Sequence, residues 1–186
     1  MKTELLHTLD TLKSHKVILY PTDTVWGIGC DATDAMAVAK IFAIKQRKES
    51  KSLIILVDSS EMLNKYIDKI SDKILDILKN TVKPTTVIYN KPKELAKNVI
   101  AQDNTVAIRI VKKGFCHELI RLFGKPIVST SANISGHATP QSFKEIDTSI
   151  LDAVDYVVNL QRNKITYAPS KIIKIKSDGM LEVIRE

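Results

Sequence analysis

The residues best suited to chemistry lie in three short runs that set hydroxyls, amides and cations where an ordinary turn would suffice. The first, PTDTVWGIGCDA (21–32), follows the apolar VILY and precedes a helical pattern. Pro21 ends a strand with an extended approach, and Gly27 and Gly29 allow close backbone approach or a positive φ, so Thr22 and Thr24 are candidates to face a cleft. Satisfying turn amides is the structural alternative for the same side chains. The second run, KQRKESK (45–51), closes a helical pattern with Lys45, Arg47, Lys48 and Lys51. Such a density of cations repels itself unless an anion sits among them, and Arg47 brings the fork that holds a phosphate bidentately. A helix C-terminus offers the competing account, at roughly 0.3–1 kcal/mol per charge. The third run, STSANISG (129–136), follows the apolar IV and so falls at the carboxyl end of a strand, where open α/β sheets bind ligands. Its hydroxyls and amide suit a phosphate, a ribose or an amino-acid head group, although Ser and Asn also cap helices.

Other chemistries find little support. GIGCDA is not GxGxxG, GKPIVS lacks the spacing of a P-loop, and no GxSxG elbow occurs. His7, His15, His117 and His137 are scattered, and Cys30 and Cys116 form neither a CxxC pair nor a metal spacing. A reduced, cytoplasmic protein without a structural disulfide or a metal site is the expectation. The N-terminus carries Leu5, Leu6, Leu9 and Leu12 at helical spacing between charges, an amphipathic helix and not a signal segment. No apolar run approaches the roughly 18 residues of a membrane span.

The elements that must position these runs alternate in type. Strands are predicted at 17–20, 25–29, 53–57, 86–89, 105–110 and 126–130, with a further one at 156–160. Helices are predicted after Asp34, Ser59 and Ser71 and around His117 to Phe123, with a weak one near Phe143. SKIIKIK and MLEVIRE flank Ser177-Asp178-Gly179 as a terminal hairpin. The pattern implies an α/β fold: one twisted sheet, mixed parallel and antiparallel, flanked by helices. With 186 residues, 44% of them hydrophobic, a single domain over 1–186 is expected. The net charge of +7 favours anionic partners such as nucleotides or RNA, though solvated lysines alone account for it equally.

Taken in order, PTDTVWGIGCDA, KQRKESKSLIILV, TVAIRI and PIVSTSANISG resemble the YrdC-like threonylcarbamoyl-AMP synthase family over nearly the whole chain. The resemblance implies an enzyme, a nucleotidyltransferase that makes threonylcarbamoyl-adenylate and pyrophosphate from L-threonine, bicarbonate and ATP, with magnesium entering alongside ATP. A separate threonylcarbamoyl-transferase complex then modifies tRNA. It further implies that Lys45, Arg47, Lys51, Thr105, Ser131, Asn133 and Arg185 bind ATP, while Thr24, Arg109, Ser129 and Ser170 bind L-threonine. No side chain is implied as a nucleophile, since positioning and electrostatics suffice for the displacement. The chain departs from the family pattern at KPTTVIY, Trp26, Lys48 and Lys171. The alternative function is a module that binds double-stranded RNA or the ribosome without catalysis, through a basic face and with strong salt dependence.

Overall fold

The computed structural model describes residues 1–47, 53–165, 169–175 and 180–186. Helix α1 (Lys2–Lys13) buries Leu9 and Leu12 and leads into β1 (Ile18–Pro21) and β2 (Trp26–Gly29). Asp34 then starts α2 (Ala35–Ile44): its carboxylate accepts the otherwise orphaned N–H groups of Met36 and Ala37. After β3 (Ile54–Val57), Ser59 and Ser71 cap α3 (Ser60–Tyr66) and α4 (Asp72–Asn80) through their hydroxyls. There follow β4 (Thr85–Asn90), β5 (Thr105–Ile110), α5 (Phe115–Phe123) and β6 (Ile127–Ser131). The chain closes with α6 (Thr148–Ala153), β7 (Tyr156–Val157), β8 (Lys171–Ile175) and β9 (Leu181–Arg185).

These strands join in one sheet of order β7-β1-β2-β6-β3-β5-β4-β8-β9. β3 pairs parallel to β5 and β4 parallel to β8, while β2 and β3 both run antiparallel to β6, so the sheet is mixed as the alternation of elements predicts. Two elements differ from expectation. β7 is only two residues long, shorter than the predicted 156–160, and pairs with β1 at the sheet edge. The weak helix near Phe143 is a single 3-10 turn (Phe143–Glu145), and the helix proper is α6 just after it, where Asp147 accepts from Ser149 N–H. β8 and β9 pair antiparallel as a hairpin requires, while the Ser177-Asp178-Gly179 turn lies outside the described residues.

The core is apolar and continuous, from Leu12 under α1 through Ile18, Ile28, Ile55 and Ile108 in the sheet to Leu119 in α5. Trp26 belongs to it, 2% exposed and stacked at a tilt on Phe143 with ring centroids 5.0 Å apart. Gly29 is small for a packing reason, not for its backbone angles: a Cβ there would lie 2.5 Å from the Val128 carbonyl and 2.7 Å from the Tyr20 ring. Among the described residues no helix is long and apolar enough to cross a membrane.

Candidate functional site

A cavity of about 310 Å³ opens over one face of the sheet. Strand alternation builds its floor, since residues two apart share a face. Register aligns Ser129 of β6 with Ile54 of β3, then Ala107 of β5, then Ile88 of β4. One step along, Arg109 of β5 aligns with Thr86 of β4, Ile172 of β8 and Arg185 of β9. The small Ala107 and Gly27 leave the hollow, and a Cβ on Gly27 would come within 3.1 Å of Ser129 Oγ. The cavity therefore lies on the sheet's face, not beyond strand ends as in a parallel open sheet. The reason is the antiparallel pairing Gly27↔Ser131, which extends β6 to Ser131, one residue past the predicted strand, so that Ser129, Thr130 and Ser131 all lie in the sheet.

At one corner stands Arg109, 3% exposed. Its Nη2 meets Asp23 Oδ1 at 3.0 Å and its Nη1 donates to Thr24 Oγ1 at 3.3 Å. Its Nε is buried without a hydrogen-bond partner. A buried guanidinium N–H left open inside a polar cavity is costly unless a ligand oxygen takes it. The turn that supplies Asp23 is fastened by Thr22, whose hydroxyl donates to Val25 C=O at 2.7 Å and receives Thr24 N–H at 3.0 Å.

The opposite corner is built around Lys45, 1% exposed at the end of α2. Nζ donates to the carbonyls of Ser131 (2.5 Å) and Asn133 (2.6 Å), and the Lys45 carbonyl accepts Ser135 N–H at 2.9 Å. Burial first, and then the neighbouring Arg47, push the Lys45 ammonium down to about 8. Asn133 is equally committed: its Nδ2 donates to the carbonyls of Ile134 and His137, and its Oδ1 accepts from Ser131 Oγ. This loop is thus tied to the helix by hydrogen bonds that ligand need not supply. Arg47 itself lines the cavity, and burial lowers its pKa.

A third group closes the far side. Arg185 donates from Nη2 (2.7 Å) and Nε (3.0 Å) to the Ser170 carbonyl, and Ser170 Oγ lies 2.8 Å from Thr86 Oγ1. Burial and then repulsion from Arg109 lower the Arg185 pKa, so the two cations share one field. Three arginines gathered around one cavity make a site for an anion.

Of the residues expected from sequence, Thr24, Arg47, Arg109, Ser129, Ser131, Ser170 and Arg185 line this cavity together. Lys45 and Asn133 stand behind its wall in the loop just described. Thr105 lies on the same face of β5 as Ala107 and Arg109, but beyond the cavity, with its hydroxyl given to Asp103 at 2.6 Å. Lys51 lies outside the described residues. Sequence reading missed Ile54, Ala107, Ile88 and Ile172, the apolar floor, and Thr139 on the rim. The floor was findable from period-two alternation once Arg109 was taken as facing inward; Thr139 carries no such signal.

The sequence model of the Sua5, YciO and YrdC proteins, described as "Telomere recombination", matches residues 10–186. The chain belongs to this family. It is 37% identical over 151 residues to the threonylcarbamoyl-AMP synthase of Pseudoalteromonas translucida, covering 80% of this chain and 81% of that one. It is 30% identical to the threonylcarbamoyl-AMP synthase of Vibrio cholerae over 98% of this chain and 96% of the relative. Among solved structures, Sua5 of P. abyssi complexed with L-threonine superposes with a TM-score of 0.90 at 25% identity, covering all of this chain but 54% of the other. This chain thus spans about half the length of that Sua5 protein. E. coli YciO shares the fold, with a TM-score of 0.86 at 22% identity over 100% of this chain and 90% of that one.

Proposed function

We propose that this protein is a threonylcarbamoyl-AMP synthase. The observation that carries the reading is Arg109: a buried cation with an open N–H, flanked by Thr24 and Ser129 in a cavity that also receives Arg47 and Arg185. That arrangement suits an amino-acid carboxylate at one end and a polyphosphate at the other. The names of the relatives and the threonine complex of Sua5 support the same pairing.

In this reading Arg109 receives the threonine carboxylate, with Thr24, Ser129 and Ser170 around the rest of the amino acid. The threonine amine and bicarbonate condense to a carbamate with loss of water. A carbamate oxygen then attacks the α-phosphorus of ATP in line, forming the P–O bond of the adenylate as the bond to pyrophosphate breaks. Arg47, Arg185 and Lys51 neutralise the triphosphate. Lys45 spends two of its three N–H donors on carbonyls and serves the triphosphate by holding the Ser131–Asn133 loop in place. Ser131, Asn133 and Thr105 hold the nucleotide end, Asn133 by shaping its loop. Water exclusion makes each charge-assisted bond worth more than in solvent. Magnesium arrives with the triphosphate as part of the substrate; among the described residues no cluster of three His, Cys, Asp or Glu side chains is grouped to cage a metal. The adenylate is the activated donor for the modification of tRNA by a separate transferase complex, and the net charge of +7 supports contact with tRNA or double-stranded RNA.

Pyrophosphate release by the purified protein with ATP, magnesium and bicarbonate tests the reading. It requires threonine-dependent release and a product with the mass of threonylcarbamoyl-AMP. Release indifferent to threonine removes the synthase reading, and no release beside tight, salt-sensitive RNA binding replaces it with the RNA-binding alternative.

A further inference from the structure

The hydroxyls beside Arg109 form a chain whose proton directions can be assigned by counting. Thr22 Oγ1 lies 2.7 Å from the Val25 carbonyl, 3.0 Å from Thr24 N–H and 2.9 Å from Thr24 Oγ1. A hydroxyl has one proton, and a carbonyl only accepts, so the Thr22 proton goes to Val25. The contact between the two hydroxyls must then use the proton of Thr24. Arg109 Nη1, a donor without acceptor capacity, occupies one lone pair of Thr24 Oγ1 at 3.3 Å. One lone pair of Thr24 is left, and no proton. Both threonines are at least nine-tenths buried and line the cavity, so water does not readily exchange these roles.

We propose that Thr22 is a positioning residue that makes Thr24 an acceptor only, so that the amino-acid subsite selects a side chain carrying a hydrogen-bond donor, a β-hydroxyl. The inference rests on the amino-acid reading of the Arg109 corner. It explains why position 22 carries a hydroxyl: a valine at Thr22 would free the Thr24 hydroxyl to turn, and the site would then accept either polarity. A site arranged around a substrate hydroxyl rejects the analogue lacking it far more strongly than an apolar pocket rejects an extra methyl.

Calorimetric binding and threonine-dependent pyrophosphate release should be measured with L-threonine, L-valine and the threonine analogue whose hydroxyl is replaced by fluorine. Fluorine accepts weakly and cannot donate. The unaltered protein should prefer threonine by about 100-fold or more over both analogues. Thr22→Val should reduce that preference at least about tenfold, through the threonine KM with the ATP KM held, and Thr22→Ser should restore it. Equal binding of threonine and the fluoro analogue by the unaltered protein overturns the proposal without any variant that must fold. So does a Thr22→Val protein with the full preference, or a Thr22→Ser protein that behaves like Thr22→Val. Binding of none of the amino acids removes the synthase reading together with this one, whereas threonine turnover without hydroxyl preference removes this one alone.

Discussion

Lys45 and Arg109 are both buried cations at the edge of one cavity, yet they are held differently. Lys45 gives two N–H groups to backbone carbonyls of the Ser131–Asn133 loop, partners that stay put whatever binds. Arg109 leans on side chains, Asp23 and Thr24, and keeps Nε open. Asp23 is 29% exposed at its side chain, so it can return to water when another carboxylate arrives. Backbone partners make a cation part of the scaffold; movable partners with a spare donor make it part of a binding site.

Substitution should separate the two. Arg109→Gln is expected to raise the L-threonine KM about 100-fold, near 3 kcal/mol for a desolvated charge-assisted contact, while the melting temperature moves by only a few degrees. Steady-state kinetics beside a thermal melt reads both, and a large loss of stability with unchanged KM would reverse the assignment. Lys45→Met should do the opposite first. Leaving two carbonyls unpaired costs about 2–3 kcal/mol, or roughly 4–12 °C for a domain of this size, and both substrates should bind more weakly because the loop loosens. Arg47→Ala should weaken ATP binding about 20-fold with the fold intact, which equilibrium binding checks; unchanged affinity would remove Arg47 from the phosphate site.

A gradual effect is expected in pH. The folded protein favours neutral Lys45 relative to the unfolded chain, because its ammonium is pushed down from 10.5 to about 8. Between those values the unfolded state binds more protons, so the Lys45 contribution to stability rises with pH and is flat below about 8. Denaturant melts of the unaltered protein minus those of Lys45→Met should show this slope, at most about 1.4 kcal/mol per pH unit. A flat difference would mean that the two carbonyls hold the ammonium charged throughout.

Much of the fold was legible because its signals are local. Asp34, Ser59 and Ser71 announce their helices by the hydroxyl or carboxylate that each must supply, and TVAIRI alternates as a strand does. The site was legible in its residue types and less so in its geometry. Asp23 and Asp31 look alike in PTDTVWGIGCDA, yet Asp23 faces Arg109, while Asp31 is a turn anchor that accepts from Thr33 and pairs with Lys125 at 2.8 Å. Which is which depends on β5 and on the segment before β6, far along the chain. The cation cluster at 45–51 likewise suggests shared phosphate duty, but Lys45 turns inward because helix α2 ends against the loop after β6. Such assignments are set by long-range pairing, which no short window carries.

That same pairing has a kinetic side. Of the strand contacts in the sheet, only β1 with β2, β4 with β5 and β8 with β9 join neighbours in sequence; the cavity floor rests on β6 with β3, β3 with β5 and β4 with β8. Loops must close over long stretches before any of these contacts rewards the chain, which slows folding. The cavity therefore exists only once the whole sheet has closed, and it is lost with that sheet. In a urea titration, ligand binding should vanish together with the native fluorescence of the buried Trp26, leaving no half-assembled form able to hold a substrate.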